Sequence, residues 1–157
     1  MKAHRELIDR FYRAFQQRDA VTMGTCYHAQ ATFSDPAFPD LDAAGVRAMW
    51  RMLCERGKDL KVEYRDILAS EARGTAHWEA WYTFSTSGRP VHNVVDAHFE
   101  FRDGLLLRHV DKFDFSRWAG QALGVTGKLL GGTGFLQNKV QAQAAKSLND
   151  WISKHPG

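Results

Sequence analysis

The sequence predicts an α+β fold: a curved antiparallel sheet, shaped as a cone or half-barrel, with N-terminal helices on its concave face and a further helix at the C-terminus. Three observations lead there. Apolar residues recur at helical spacing through the first third of the chain. After Leu60, four successive segments alternate with period two. A helical pattern then returns beyond a glycine-rich stretch.

The first helix is expected over about residues 3–18, where Leu7, Ile8, Phe11, Tyr12 and Phe15 make one apolar stripe. Asp19 can cap a second short helix ending near Tyr27. Ala31 to Asp35 reads as a short strand stopped by Pro36, and a loop containing Pro39 follows. The next helix, about Asp42 to Arg56, presents Val46, Met49, Trp50 and Leu53, with Gly57 as its C′ stop. Strands are expected at about 60–70, 75–86, 90–102 and 105–115. Ser87-Gly88 and Asp103-Gly104 are the hairpin signals within that run. Ser116 to Leu123 reads as a short helix, followed by Gly124, Gly127, Gly131, Gly132 and Gly134. The last helix, about 135–154, carries Leu136, Val140, Ala144, Leu148 and Trp151. With no repeat, residues 1–157 read as one domain, in which 124–157 form a glycine-rich stretch and helical extension.

A chain of 157 residues can bury roughly two-thirds of its unfolded surface. Its 44% apolar and 25% charged residues argue against disorder. Ten Phe and five Trp suggest a roomy interior lined by rings. The formal charge of +3 is scattered, without the basic stripe that nucleic-acid binding needs. No apolar run approaches the ~20 residues required to span a bilayer. The start, Met1-Lys2-Ala3-His4-Arg5-Glu6, lacks a signal-type apolar region, so the expected location is cytoplasmic. Cys26 and Cys54 fit buried thiols better than a disulfide or a metal site.

Alternate side chains point to opposite faces of a strand, so parity sorts the polar residues. One face of 75–86 is Ala76, Trp78, Ala80, Tyr82 and Phe84. In 90–102 the apolar face is Val91, Asn93, Val95, Ala97, Phe99 and Phe101. In 105–115 it is Leu105, Leu107, His109, Asp111, Phe113 and Phe115. Asp35 shares the parity of Phe33. Asp35, His109 and Asp111 are therefore candidate acid–base residues, because a carboxylate in a dry site must be paired or raised in pKa. Tyr12, Trp50, Trp78, Tyr82, Asn93, Val95 and Phe113 are the expected ligand-contacting wall. A plainer reading stays open for each polar group: His109 and Asp111 as a satisfied buried pair, Asp35 as a turn residue before Pro36, Asn93 as a partner for backbone.

Two weaker signals carry little. Gly124-Val125-Thr126-Gly127-Lys128 has the wrong spacing for a phosphate loop and no preceding strand. His109-x-Asp111 lacks a third inward ligand, since His92 and His98 fall on the opposite strand face, so no metal and no cofactor are expected. His92, Asp96, His98 and Glu100, with Trp81 and Val94, decorate the outer sheet face.

Beyond these residue-level readings, the chain resembles a known family over about residues 3–118. The carrying segments are Tyr27-His28-Ala29-Gln30-Ala31-Thr32-Phe33-Ser34-Asp35-Pro36, the helix around Met49-Trp50, and Ser87-Gly88-Arg89 through Phe113-Asp114-Phe115. They are similar to the nuclear transport factor 2-like superfamily, in its SnoaL-like and ketosteroid-isomerase-like branch. That resemblance implies the fold and a homodimer through the outer sheet face. It leaves the reaction open, because the fold hosts isomerases, cyclases, epoxide hydrolases, dehydratases and non-enzymatic modules. Asp35 falls where ketosteroid isomerases carry their proton-shuttling aspartate. Phe11 takes the place of the oxyanion tyrosine, with Tyr12 one step away, and Ala97 that of the protonated aspartate, which argues against a steroid isomerase. Residues 88–115 resemble limonene-epoxide hydrolase without a gap. Asp111 matches one aspartate of its catalytic set, while Trp78 and Ala80 replace the partner arginine and the second aspartate.

Two functions follow from this reading. The first is a cofactor-independent isomerase, cyclase, hydratase or epoxide hydrolase acting on a small apolar molecule through Asp/His acid–base chemistry. The second is a non-catalytic module that captures a small hydrophobic ligand; removing Asp35 or Asp111 would then spare or strengthen binding of neutral ligands.

Overall fold

Helix α1 (Lys2–Gln16) buries Leu7, Ile8, Phe11, Tyr12 and Phe15 along its expected stripe. The computed structural model describes residues 1–156. Asp19 caps α2 (Ala20–Thr25), its side chain accepting from the Thr22 N–H. Asp42 caps α3 (Ala43–Arg56) and Asp114 caps α4 (Phe115–Leu123) in the same way. Each side chain satisfies one of the N–H groups that a helix start leaves without a partner. Gly57 ends α3 at φ −82°, donating to the Leu53 carbonyl, and not in the left-handed C′ conformation expected.

Six strands form one mixed sheet in the order β2-β1-β6-β5-β4-β3. The strands are β1 (Tyr27–Ser34), β2 (Leu41–Asp42), β3 (Lys61–Ala69), β4 (Arg73–Phe84), β5 (Arg89–Arg102) and β6 (Leu105–Lys112). From β3 to β6 the sheet is the expected antiparallel meander, with Trp78 opposite Val95 and Ala97 opposite Asp111. Asp103 and Gly104 both take positive φ in the β5–β6 hairpin, as a tight turn there demands.

The all-antiparallel expectation needs correction at one edge. β1 lies parallel to β6, with Phe33 beside His109, because the chain reaches β6 only after α3 and the whole meander. β1 also starts four residues earlier than expected, at Tyr27, with an irregular register between Tyr27 and Thr32. β6 stops at Lys112, where Asp114 turns the chain into α4. The glycine-rich stretch contains a further short helix, α5 (Val125–Leu130), folded against α4 at Gly127. A side chain at Gly127 would overlap the Ala119 carbonyl.

α1 packs over β3 and β4, and α3 over β1, so that Phe11, Tyr12, Phe15, Trp50, Phe33, Trp78 and Phe99 join in one buried cluster. A smaller cluster of Val91, Phe115, Trp118, Ala119, Ala122 and Leu136 ties α4 and α6 (Gly134–Lys154) to the start of β5. Cys26 and Cys54 are free, buried thiols. Among the described residues, no helix is long and apolar enough to cross a membrane.

Candidate active site

β6 points His109 and Asp111 inward, two residues apart on one strand face, and leaves them 1% and 3% exposed. His109 Nε2 lies 2.8 Å from Asp111 Oδ1. On its other side, His109 Nδ1 is 2.8 Å from the Tyr27 hydroxyl, which in turn accepts from Trp50 Nε1 at 2.9 Å. Trp78 Nε1 also reaches Asp111 Oδ1, at 3.4 Å. β4 and β6 thus meet at a single carboxylate oxygen, to which β1 and α3 are linked through Tyr27 and His109.

Asp35 follows the last residue of β1, where Pro36 ends the strand. Its Oδ1 accepts from the backbone N–H groups of Ala37 at 2.7 Å and Phe38 at 2.6 Å. The carboxyl therefore makes the turn foreseen in the plainer reading, and it also lines the central cavity. Burial pushes its pKa up to about 7; the Phe38 N–H opposes that rise, and the negative charge of Asp111 adds to it.

The cavity has a volume of about 280 Å³. Of the residues expected at the site, Asp35, Asp111, Trp50, Trp78, Tyr82, Asn93 and Phe113 line it. Tyr82 is fixed by a hydrogen bond from Trp118 Nε1 at 2.9 Å, and burial lifts its phenol to about 12. Three expected residues stand behind the wall. His109 makes its contact with the site through Asp111. Val95 sits opposite Trp78 in the β4–β5 register, and the larger ring takes the cavity surface. Tyr12 stacks on Tyr64 with ring centroids 5.4 Å apart, and its fully buried hydroxyl has no hydrogen-bond partner.

The sequence reading missed two contributors. Tyr27 was placed at a helix end, yet it shares the parity of Ala31 and Phe33 once β1 is extended back to it. Helix α6 supplies Val140, Gln143, Ala144 and Ser147 to the cavity wall, while exposed Arg56, Thr83 and Thr86 mark the rim. Gln137 and Gln141 anchor α6 by donating to the Pro36 carbonyl, at 3.2 and 3.1 Å, beside Asp35. Trp151 Nε1 fastens its far end to Glu55 of α3 at 2.6 Å.

On the outer sheet face, Glu79 accepts from His92 at 2.7 Å and pairs with His77 at 2.9 Å. Those hydrogen bonds, His77 first, hold the Glu79 carboxyl down at about 2. Trp81 stacks on His92 at 4.5 Å. Among the described residues, no three His, Cys, Asp or Glu side chains gather as a metal site.

This architecture recurs in solved structures. An LEH-like epoxide hydrolase of M. tuberculosis superposes with a TM-score of 0.63 at 17% identity, covering 83% of this chain and 97% of its own. A proposed polyketide cyclase of Xanthomonas campestris pv. campestris gives 0.64 at 19%, covering 77% and 97%. TerC, co-crystallised with polyporic acid, gives 0.67 at 17%, covering 78% and 99%. At such identities the likeness is one of fold. No curated protein matches the chain in sequence. Residues 8–109 match the SnoaL-like domain, which is well over half of the chain and includes β1, α3 and all of the meander up to His109. The chain therefore belongs to the SnoaL-like domain family.

Proposed function

We propose that the protein is a cofactor-independent enzyme that moves protons on a small apolar molecule held in the central cavity. Asp111, backed by His109, serves as the base, and Asp35 serves as the acid. The observation that carries this reading is that two carboxyl groups in different settings line one largely apolar cavity. Asp111 Oδ1 accepts from Trp78 Nε1 and pairs with His109 Nε2. Asp35 sits near neutrality, at about 7, where it can hold a proton to donate. A carboxyl raised to about 7 beside a second, histidine-paired carboxyl suits proton transfer next to a carbonyl, cyclisation, hydration or dehydration, and epoxide opening. The wall formed by Trp50, Trp78 and Phe113 favours ring-bearing or aliphatic compounds over strongly polar ones.

Two further parts belong to the same proposal. The protein acts in the cytoplasm, and it pairs as a homodimer through the outer sheet face, where partly buried Trp81 and Val94 lie among the His77–Glu79–His92 network. Sedimentation of the wild type and of Trp81→Glu tests the pairing: a dimer that becomes a monomer supports it, and a wild-type monomer rejects it.

The substrate class is open to a direct search. Thermal unfolding with a panel of small ketones, lactones, epoxides and phenols reports binding, since a ligand at about 100 times its Kd stabilises by ~2.7 kcal/mol. In a domain of this size each kcal/mol moves the midpoint by roughly 2–4 °C. A shift confined to one chemical class, with conversion of that compound lost in Asp35→Asn and Asp111→Asn, is the expected result. Binding without conversion in the wild type would favour the non-catalytic reading.

A further inference from the structure

The hydrogen bonds that end at Asp111 have only one fully satisfied direction. An indole N–H can only donate, so the Tyr27 hydroxyl oxygen accepts from Trp50 at 2.9 Å. The single phenolic proton then has one acceptor in reach, His109 Nδ1 at 2.8 Å. Burial, working against the Trp50 hydrogen bond, holds the Tyr27 phenol well above its ordinary pKa, so that proton stays on it. An accepting Nδ1 leaves the ring proton on Nε2, which faces Asp111 Oδ1 at 2.8 Å.

The reverse direction fails on two counts. A proton on Nδ1 pointing at Tyr27 would leave the phenolic O–H with nothing to donate to. It would also set the bare Nε2 against a carboxylate oxygen. Tyr27 and Trp50 are each 2% exposed and His109 1%, so water cannot repair the loss. An unpaired buried polar group is costly enough to bias the ring toward one tautomer. Asp111 Oδ1 is occupied by His109 and Trp78, whereas Oδ2 makes no hydrogen bond among the described residues and is not sealed in protein as the Tyr12 hydroxyl is. Asp111 lines the cavity, so Oδ2 is the oxygen available to a ligand.

We infer that Tyr27, held by Trp50, is a positioning residue that locks His109 as its Nε2–H tautomer and so presents Asp111 Oδ2 to the cavity as a proton acceptor. The importance of this for turnover rests on Asp111 being the base; the lock itself does not. Without the Tyr27 hydroxyl, Nδ1 loses its donor, and Asp111 Oδ1 alone is left to favour the proton on Nε2. A ring with its proton on Nδ1 can be accommodated at Nε2 only if Asp111 takes up a further proton from solvent on Oδ1, and a protonated Asp111 is no longer a base.

The test is the long-range proton–nitrogen spectrum of the ¹⁵N-labelled full chain, with His109 assigned among the seven histidines by the signals lost in His109→Gln. The expected wild-type result is a protonated Nε2 and an unprotonated Nδ1. In Tyr27→Phe the Nδ1–H tautomer gains population and the bare Nδ1 loses its hydrogen-bonded shift, and in Trp50→Phe, where the hydroxyl remains but is untethered, both changes are partial. A wild-type ring protonated on Nδ1 or on both nitrogens overturns the inference, as does Tyr27→Phe leaving both the tautomer populations and the Nδ1 shift of the wild type unchanged. If Tyr27→Phe does not fold, the wild-type spectrum and Trp50→Phe still decide. No substrate is involved, so an Nε2–H ring in a protein without turnover would remove the proposed reaction and leave the lock standing. An Nδ1–H ring would remove the lock whatever the activity.

Discussion

The negative charge of Asp111 acts on Asp35 across their shared cavity, adding to the larger effect of burial. The Asp35 carboxyl comes to about 7 despite the two backbone N–H groups that it accepts from. Asp111 thus adds to what burial does, helping to keep a proton on Asp35, so the charge of one residue bears on the other.

This coupling has a sign that stability measurements can read. The folded pKa of Asp35, about 7, lies above its ordinary 3.8, so the folded state binds the extra proton. The contribution is fully present below about pH 4 and is lost as pH rises through about 7. The shift sets a ceiling of about 4 kcal/mol at ~1.36 kcal/mol per unit. Denaturant unfolding at about pH 5 and about pH 8 is expected to show this loss in the wild type and a flatter profile in Asp35→Asn.

Tyr12 offers a test of the packing behind the wall. Its hydroxyl is buried without a partner, while its ring packs on Tyr64 and Phe99. Tyr12→Phe removes the unpaired group and keeps the ring, so the variant is expected to be as stable as the wild type or more so, by about 1 kcal/mol. Thermal unfolding checks this; a loss of 2–4 °C or more, roughly 1 kcal/mol, would mean that the hydroxyl has a partner after all.

Helix α6 should control what the cavity admits. Ala144 faces the cavity from α6, with Val140 and Ser147 on the same stripe. Ala144→Trp fills that space from α6 and leaves Asp35, Asp111 and the sheet residues in place. The expected outcome is loss of an apolar fluorescent probe by at least about tenfold in Kd, or ~1.4 kcal/mol, with the circular dichroism spectrum unchanged.

How much of this was legible beforehand follows from what is local. Period-two alternation is a property of one strand, so parity alone selected Asn93, His109 and Asp111, and the structure buries all three. Asp19 is equally local, since a short acidic side chain can cap the helix that follows it; Asp42 and Asp114 cap in the same way, although the alternation carries the last expected strand past Asp114. Tyr27 was not legible because the irregular register between Tyr27 and Thr32 breaks the alternation that would have extended β1. The parallel pairing of β1 with β6 joins residues some eighty positions apart, and neither strand alone signals it. The wall formed by α6 is of the same kind. It depends on Gln137 and Gln141 reaching Pro36 about a hundred residues away, which no window of sequence displays.

The most direct test of the central claim is the turnover of a compound retained by the cavity, compared between the wild type and Asp111→Asn. Asparagine keeps the shape of the side chain and an oxygen able to accept from His109 Nε2, but it cannot act as a base. The account predicts that Asp111→Asn still binds the compound and loses conversion by about 100-fold or more, in line with general-base catalysis. Conversion at the wild-type rate in Asp111→Asn would contradict it.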